Sequence, residues 1–263
     1  MAEVVVTFDS GDDYERFMGR WSRAIGERFL DWLAPPSDAR WLDIGCGTGA
    51  FTQLVLKHGS PIAVTGIDPA PAQIELARRQ TPQADFRVAD ATALPFKDNE
   101  FDVVVSALVI NFIPDRAKAF GEMHRVLRPG GIVSAYLWDR TAATDFSPHA
   151  PMERGLRAIG VEAMRPPISP EATPEGAKAA LERSGFHDIV IASLDAIQGY
   201  RDFEDYWGAQ TVSFAPIGKS VALLSDDKRA LLRETMKSLL PPNANGSISY
   251  SARALAFKAR KPS

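Results

Sequence analysis

Apolar residues recur every fourth position from Phe17 through Trp21, Ile25, Phe29 and Leu33, while Arg16, Arg20, Arg23, Glu27, Arg28 and Asp31 fill the other faces. This spacing predicts an amphipathic helix over residues 14–33, ended by Pro35 and Pro36, which cannot continue it. Its apolar stripe must lie on something, either the side of a core or, as a lid, also a ligand. After the prolines, short apolar runs alternate with helix-length amphipathic segments. Strand-like stretches fall at 40–44, 62–67, 85–89, 101–106 and 131–138, with helical patterns at 50–58, 70–79 and 115–127. Runs buried on both faces and separated by helices predict a parallel sheet with crossovers on both sides. The helix at 115–127 has a clear stop: Arg125 and Arg128 suit its negative end, and Pro129-Gly130-Gly131 cannot extend it.

Beyond Asp139 the rhythm breaks. Residues 141–171 are rich in Pro, Ala and Arg and read as an irregular excursion with one short helix around 153–164. Thr173-Pro174-Glu175 then opens a helix as an N-cap followed by proline, and Gly185 stops it. A strand pattern follows at 187–194. Residues 200–242 are mainly helical, with Leu223, Leu224, Leu231, Leu232, Met236, Leu239 and Leu240 available for burial, and 247–258 alternates as a last strand. Seven strands result. The expected division is a helical cap (1–36), a core (37–140), an insert or lid (141–172), a return to the core (173–199), a second helical insert or lid (200–242), and a final core strand and tail (243–263).

The chain has 263 residues, 45% hydrophobic and 24% charged, which is ample for a packed core. Thirty Lys and Arg against thirty-three Asp and Glu give a net charge of −3, far from the basic footprint of nucleic-acid binding. The single cysteine, Cys46, excludes an intrachain disulfide, a Cys-based zinc cluster and a CxxC redox pair. The acidic start does not read as a secretory signal, and the longest uncharged stretches, 103–114 and 207–218, are too short to span a membrane. A soluble, cytoplasmic protein is the expectation, with no nucleic-acid or membrane partner.

The sharpest local feature is Asp43-Ile44-Gly45-Cys46-Gly47-Thr48-Gly49-Ala50, a glycine-rich turn between a strand and a helix, where a ligand can approach the backbone without meeting a Cβ. By itself it also fits a dinucleotide loop, since Gly45, Gly47 and Ala50 have GxGxxA spacing. Two further strand-end acids sharpen the reading. Asp68 ends the second strand 23 positions after Gly45, and Asp90 ends the third. Adjacent strand ends line one crevice, so Asp43, Asp68 and Asp90 should all face it. Three acids repel a pyrophosphate but suit a ligand with a cationic group, ribose hydroxyls and an adenine amino group. The charge sign thus favours a cationic nucleoside over NAD, and no Tyr-x-x-x-Lys pair supports an NAD-dependent oxidoreductase.

These motifs resemble those of the class I S-adenosylmethionine-dependent methyltransferases, especially the small-molecule group of the ubiquinone and menaquinone biosynthesis type. The similarity runs from about Arg40 to Trp138. It is carried by Leu42-Asp43-Ile44-Gly45-Cys46-Gly47-Thr48-Gly49, Gly66-Ile67-Asp68 and Asp90-Ala91-Thr92-Ala93-Leu94-Pro95-Phe96, then by Phe101-Asp102-Val103-Val104 and Glu122-Met123-His124-Arg125-Val126-Leu127-Arg128-Pro129-Gly130-Gly131. The opening Tyr14-Glu15-Arg16-Phe17-Met18-Gly19-Arg20-Trp21 resembles the N-terminal cap of a bacterial subgroup. The resemblance implies an α/β, Rossmann-like, seven-stranded, mostly parallel sheet with helices on both faces and an antiparallel last strand, and S-adenosylmethionine as cofactor. It implies that Gly45 and Gly47 pass beside the methionine and ribose parts, with Cys46 between them and Asp43 near the ammonium. Asp68, followed by Pro69, would take both ribose hydroxyls. Asp90 would take the adenine amino group, with the Ala91 amide facing the ring and the Ser106 backbone, at the end of the fourth strand, facing the methionine portion.

No residue is marked as catalytic. His58, His124, His149 and His187 are scattered without metal-ligand spacing; His149 is the nearest to a general-base candidate, though a surface or packing role fits it better. Tyr14, Arg20 and Asn111 are candidate pocket liners. Phe146, Met152, Tyr200, Phe203, Tyr206, Trp207 and Phe214 stand either for an apolar acceptor pocket or for core. The absence of an Asn/Asp-Pro-Pro-Tyr/Phe segment after the fourth strand argues against amino-methylation of adenine or glutamine. The expected activity is methyl transfer to oxygen or carbon of a small, largely apolar molecule, with a non-catalytic binding module as the alternative; oligomeric state stays open.

Overall fold

The computed structural model describes residues 19–140, 146–165, 168–213 and 215–263; residues 14–18 of the expected first helix, including Tyr14, and Phe214 lie outside them. Helix α1 (Arg20–Leu33) buries Trp21, Ile25, Phe29 and Leu33 and turns Arg23, Glu27, Arg28 and Asp31 to solvent. The strands are β1 (Arg40–Ile44), β2 (Ala63–Asp68), β3 (Asp85–Val88), β4 (Phe101–Ala107), β5 (Leu127–Trp138), β6 (His187–Tyr200) and β7 (Ile248–Arg260). They form one sheet in the order β3-β2-β1-β4-β5-β7-β6, in which only β7 runs antiparallel to its neighbours. The helices between and after them are α2 (Ala50–His58), α3 (Pro71–Gln80), α4 (Arg116–Val126), α5 (Ala150–Ala158), α6 (Pro174–Arg183), α7 (Phe203–Gln210), α8 (Pro216–Ala222) and α9 (Asp226–Leu239).

Alternation along each central strand divides the core in two. Leu42, Ile44, Val104, Val133, Ala135 and Leu137 pack under α4 and α6, whereas Trp41, Val103, Val105 and Tyr136 pack under α1 and α2. The sheet is therefore apolar on both faces, which is why its central strands read as continuous hydrophobic runs. The capping chemistry works locally as its residues predict: the Asp115 carboxylate accepts from the Lys118 amide at the start of α4, and the Thr173 hydroxyl accepts from the Gly176 amide at the start of α6. Two strands are longer than their sequence patterns. β5 starts at Leu127, because Leu127 pairs with Phe101 before the register shifts at Val103. β6 continues to Tyr200, because β7 supplies backbone partners along its whole length.

The late inserts do not share the main core. Met152, Leu156, Tyr200, Tyr206, Ala209, Ile217, Val221, Leu232 and Met236 form a separate apolar cluster. On α9 only Leu232 and Met236, spaced i,i+4, reach that cluster fully buried; Leu231 and Leu239, expected in the interior, stay exposed because they fall on other faces, and Leu223, at the end of α8, is exposed as well. This cluster is tied to α1 at two points: both Arg20 guanidinium nitrogens donate to the Asp205 carboxylate at 3.0 and 3.2 Å, and Trp21 Nε1 donates to Tyr200 Oη at 3.2 Å. Arg20, a candidate pocket liner, is thus a strut between helices. A double-mutant cycle on Arg20→Ala and Asp205→Ala should give a coupling of about 0.5–1 kcal/mol in denaturant unfolding, the scale of a partly exposed bidentate pair. Among the described residues no helix is long and apolar enough to cross a membrane.

Candidate functional site

Strand β1 pairs with β2 on one side and β4 on the other, so successive crossovers leave it in opposite directions. That reversal opens a crevice at the carboxyl ends of β1 and β4, where ligands of open α/β sheets bind. The loop 45–49 fills the start of the crevice. Gly45 and Gly47 have φ of +74° and +53°, and both the Gly45 and Cys46 amides donate to the Ile67 carbonyl, at 2.8 and 2.9 Å. A Cβ on Gly45 would lie 2.3 Å from the Val109 side chain, so the chain can pass there only as glycine. A Cβ on Gly47 would meet nothing within 4 Å, because that stretch of backbone borders open space.

The open space has two lobes. One, of about 100 Å³, is lined by Ser22, Asp43, the loop from Gly45 to Thr48, Phe51, Leu108 and Tyr136, among others. The second, of about 360 Å³, runs past Ile67, Pro69, Asp90, Ala91 and Ile113. Gly45, Val109 and Phe112 border both lobes and divide them. The wall that carries Val109 begins at Leu108, a non-glycine residue at φ +63° whose amide donates to the Tyr136 carbonyl at 2.9 Å. Backbone in this left-handed region costs roughly 1–3 kcal/mol and persists only where its surroundings enforce it.

The three acids occupy graded environments. Asp43 is completely buried; its Oδ2 accepts from Thr52 Oγ1 at 2.7 Å, and its Oδ1 has no hydrogen-bond partner among the described residues. Burial pushes its carboxyl up to about 7, against the lowering effect of the Thr52 hydroxyl and with a smaller push from Asp68. Asp68 lines neither lobe and uses both oxygens, Oδ2 accepting from the Gly47 amide at 3.1 Å and Oδ1 from the Ala70 amide at 2.9 Å. Burial raises its carboxyl and the two amides oppose that rise. Asp90 is exposed, and the Thr92 amide, donating at 2.7 Å, holds it below the ordinary range. Cys46 is buried against Ile74, Ala77 and Phe86. Its thiol is pushed up, first by burial and then by Asp43 and Asp68, so it is a packing residue and no nucleophile.

The two lobes are therefore lined by Asp43, Gly45, Cys46, Gly47, Pro69, Asp90 and Ala91, whereas Asp68 lines neither and touches the site through the Gly47 amide. Ser106 lies within β4 with its side chain buried, its hydroxyl donating to the Ile44 carbonyl at 3.2 Å, and Ala107, Leu108 and Val109 after it line the first lobe. Asn111 Oδ1 accepts from Ser169 Oγ at 2.6 Å, and this bond ties the end of the first insert to the loop after β4. His149 stands at the N-cap of α5, away from both lobes. Of the aromatic and sulfur residues considered for an acceptor pocket, Met152, Tyr200 and Tyr206 are buried in the insert cluster. Phe203 and Trp207 pack against that cluster, and Phe146 is exposed beneath the Arg253 guanidinium. Sequence reasoning missed Ser22, Phe51, Phe112 and Tyr136, whose place depends on how α1 and β5 meet the crevice.

A buried carboxylate with one unmatched oxygen, two divided lobes and an exposed acid at the far end suit a ligand bearing a cation at one end and hydrogen-bond donors at the other. Without such a ligand, ionising Asp43 opposes folding. Its folded pKa lies above its unfolded one, so its contribution to stability is complete below about pH 4 and is lost as the pH rises toward 7. Thermal and urea unfolding of the ligand-free protein between pH 5 and 7 should show a decline of about 1 kcal/mol per pH unit, which Asp43→Asn removes.

Residues 42–135 match a family model described as "Methyltransferase domain". A malonyl-[acyl-carrier protein] O-methyltransferase of Serratia marcescens is 33% identical over 111 residues, 42% of this chain and 43% of that protein. An uncharacterized protein of Mycobacterium tuberculosis is 29% identical over 209 residues, 73% of each chain. The chain thus spans less than half the length of the Serratia relative. Among solved structures, phosphoethanolamine N-methyltransferase 2 of Haemonchus contortus, with phosphomonomethylethanolamine and S-adenosylhomocysteine, superposes with a TM-score of 0.57 at 22% identity over 96% of this chain and 57% of that one. Over residues 42–135 the chain is thus similar to a methyltransferase domain, carried on a seven-stranded, mostly parallel sheet.

Proposed function

We propose that this protein transfers a methyl group from S-adenosylmethionine to oxygen or carbon of a small, largely apolar acceptor. What supports the reading is the fully buried Asp43, which lines the first lobe and has one oxygen without a hydrogen-bond partner among the described residues, together with an exposed Asp90 lining the second. In this reading Asp43 takes the ammonium of the cofactor's amino-acid end, Asp68 uses its remaining lone pairs on the ribose hydroxyls, and Asp90 and the Ala91 amide meet the adenine edge. When bound, S-adenosylmethionine supplies a methyl group on a positively charged sulfur, a leaving group that is already activated. The protein's part is alignment and exclusion of water. Gly45 and Gly47 keep the loop close to the ligand, and Phe51, Ala107, Leu108, Val109 and Phe112 surround the reacting end with apolar surface.

That wall also bears on the acceptor. No Lys, Arg or His is among the described residues lining either lobe. A carboxylate or phosphate acceptor, such as the names of the Serratia and Haemonchus proteins imply for those enzymes, finds no cationic partner there. A neutral hydroxyl or carbon acid fits better, and a phenol or carbon acid would also have to lose a proton. The test is turnover of S-adenosylmethionine to S-adenosylhomocysteine with a panel of phenols, quinols, carbon acids and carboxylates. Turnover confined to the carboxylates rejects the apolar-acceptor reading, and tight cofactor binding without turnover of any member favours a non-catalytic binding module.

A further inference from the structure

The proposed cofactor reading gives Asp43 a task but leaves unexplained why a fully buried acid should stay available for it. The explanation lies in α2. Thr52 is itself completely buried, lines neither lobe, and places Oγ1 2.7 Å from Asp43 Oδ2. Thr52 lies in the first turn of α2, and its hydroxyl donates across to the strand-end Asp43 rather than to a carbonyl one turn back. One carboxylate oxygen is thereby fixed and satisfied, and the other is left without a partner in a residue that borders the cavity.

We infer that Thr52 is a positioning residue for the cofactor's amino-acid end, holding Asp43 by one oxygen so that the other remains the acceptor for an ammonium group. The inference rests on the proposed cofactor reading and adds a residue nine positions from Asp43 that touches no ligand. The groups facing Asp43 have opposite effects. Burial and Asp68 favour its neutral form, the Cys46 thiol beside it carries no charge at ordinary pH, and Thr52 alone among the causes of its shift favours the carboxylate. Removing the hydroxyl therefore makes Asp43 protonate at a higher pH and frees both its oxygens to reorient. The consequence is selective: recognition of the ammonium suffers, and recognition of the nucleoside does not.

Thr52→Val, nearly isosteric, and Thr52→Ser, which keeps the hydroxyl, separate this role from packing. Calorimetry between pH 5.5 and 8.5 would compare S-adenosylhomocysteine, which carries the ammonium, with 5′-methylthioadenosine, which lacks the whole amino-acid end. The expected result is a loss of about tenfold in S-adenosylhomocysteine affinity for Thr52→Val below pH 7, the effect of one pKa unit. The loss shrinks as the pH rises through the midpoint of Asp43, 5′-methylthioadenosine affinity is unchanged, and Thr52→Ser follows the wild type. Equal losses for both ligands, or a loss independent of pH, would overturn the inference and leave Thr52 a packing residue. Failure of the wild-type protein to bind S-adenosylhomocysteine at any pH would overturn the cofactor reading as well.

Discussion

Gly45→Ala should cost about 2–5 kcal/mol of folding stability and abolish cofactor binding at ordinary concentrations. Two penalties act together. At φ +74° an alanine enters the left-handed region, which costs a non-glycine residue roughly 1–2 kcal/mol. Its Cβ would also lie 2.3 to 2.8 Å from three atoms of Val109, and overpacking of a fixed wall costs about 1–3 kcal/mol. Val109 cannot simply withdraw, because its loop is anchored through the Leu108 amide and the Asn111–Ser169 bond. Gly47→Ala is the control. It meets the same kind of backbone strain, at φ +53°, but no neighbour within 4 Å. It should lose only about 1–2 kcal/mol of stability while its methyl group obstructs the ligand. Urea unfolding of the two variants distinguishes them; equal stability losses would mean that the Val109 contact is soft.

Asp68→Ala should weaken S-adenosylhomocysteine by about 1.5–3 kcal/mol, the range for hydrogen bonds to a charged group. The structure gives a second reason for a large effect. The carboxylate that is proposed to meet the ribose also accepts from the Gly47 and Ala70 amides. Its removal leaves both donors unmatched, while the Gly45 and Cys46 amides keep the start of the loop on the Ile67 carbonyl of β2. The loss should therefore appear both in the dissociation constant and in faster amide exchange at Gly47 and Ala70. Asp68→Asn, which keeps one carbonyl acceptor, should lose less. An unchanged dissociation constant for Asp68→Ala would remove it from the site.

Much of the core was legible because its signals are local. The 40–44 strand and the 50–58 helix fall at their expected bounds. There, a short buried run, a glycine turn and a basic helix end follow one another within a few residues. β5 and β6 were underestimated for the opposite reason: their extra length is set by partners far away in the chain, Phe101 for one and residues 248–253 for the other. The aromatic inserts show the same limit. Tyr200, Tyr206 and Met152 read equally as pocket or core, and only the packing of four late helices against one another made them core.

The amino-acid sequence by itself determined the alternation of strands and helices, the glycine loop at 45–49, and the presence of an acid at the end of each of the first three strands or beside it. These follow from backbone geometry and period, which act over a few residues. Tertiary structure alone decided what each acid does: Asp43 sealed against Thr52 with one free oxygen, Asp68 committed to two amides, Asp90 left in water. Three chemically identical carboxylates differ because desolvation and hydrogen bonding depend on neighbours that folding brings from other elements, and no period in the chain encodes those neighbours.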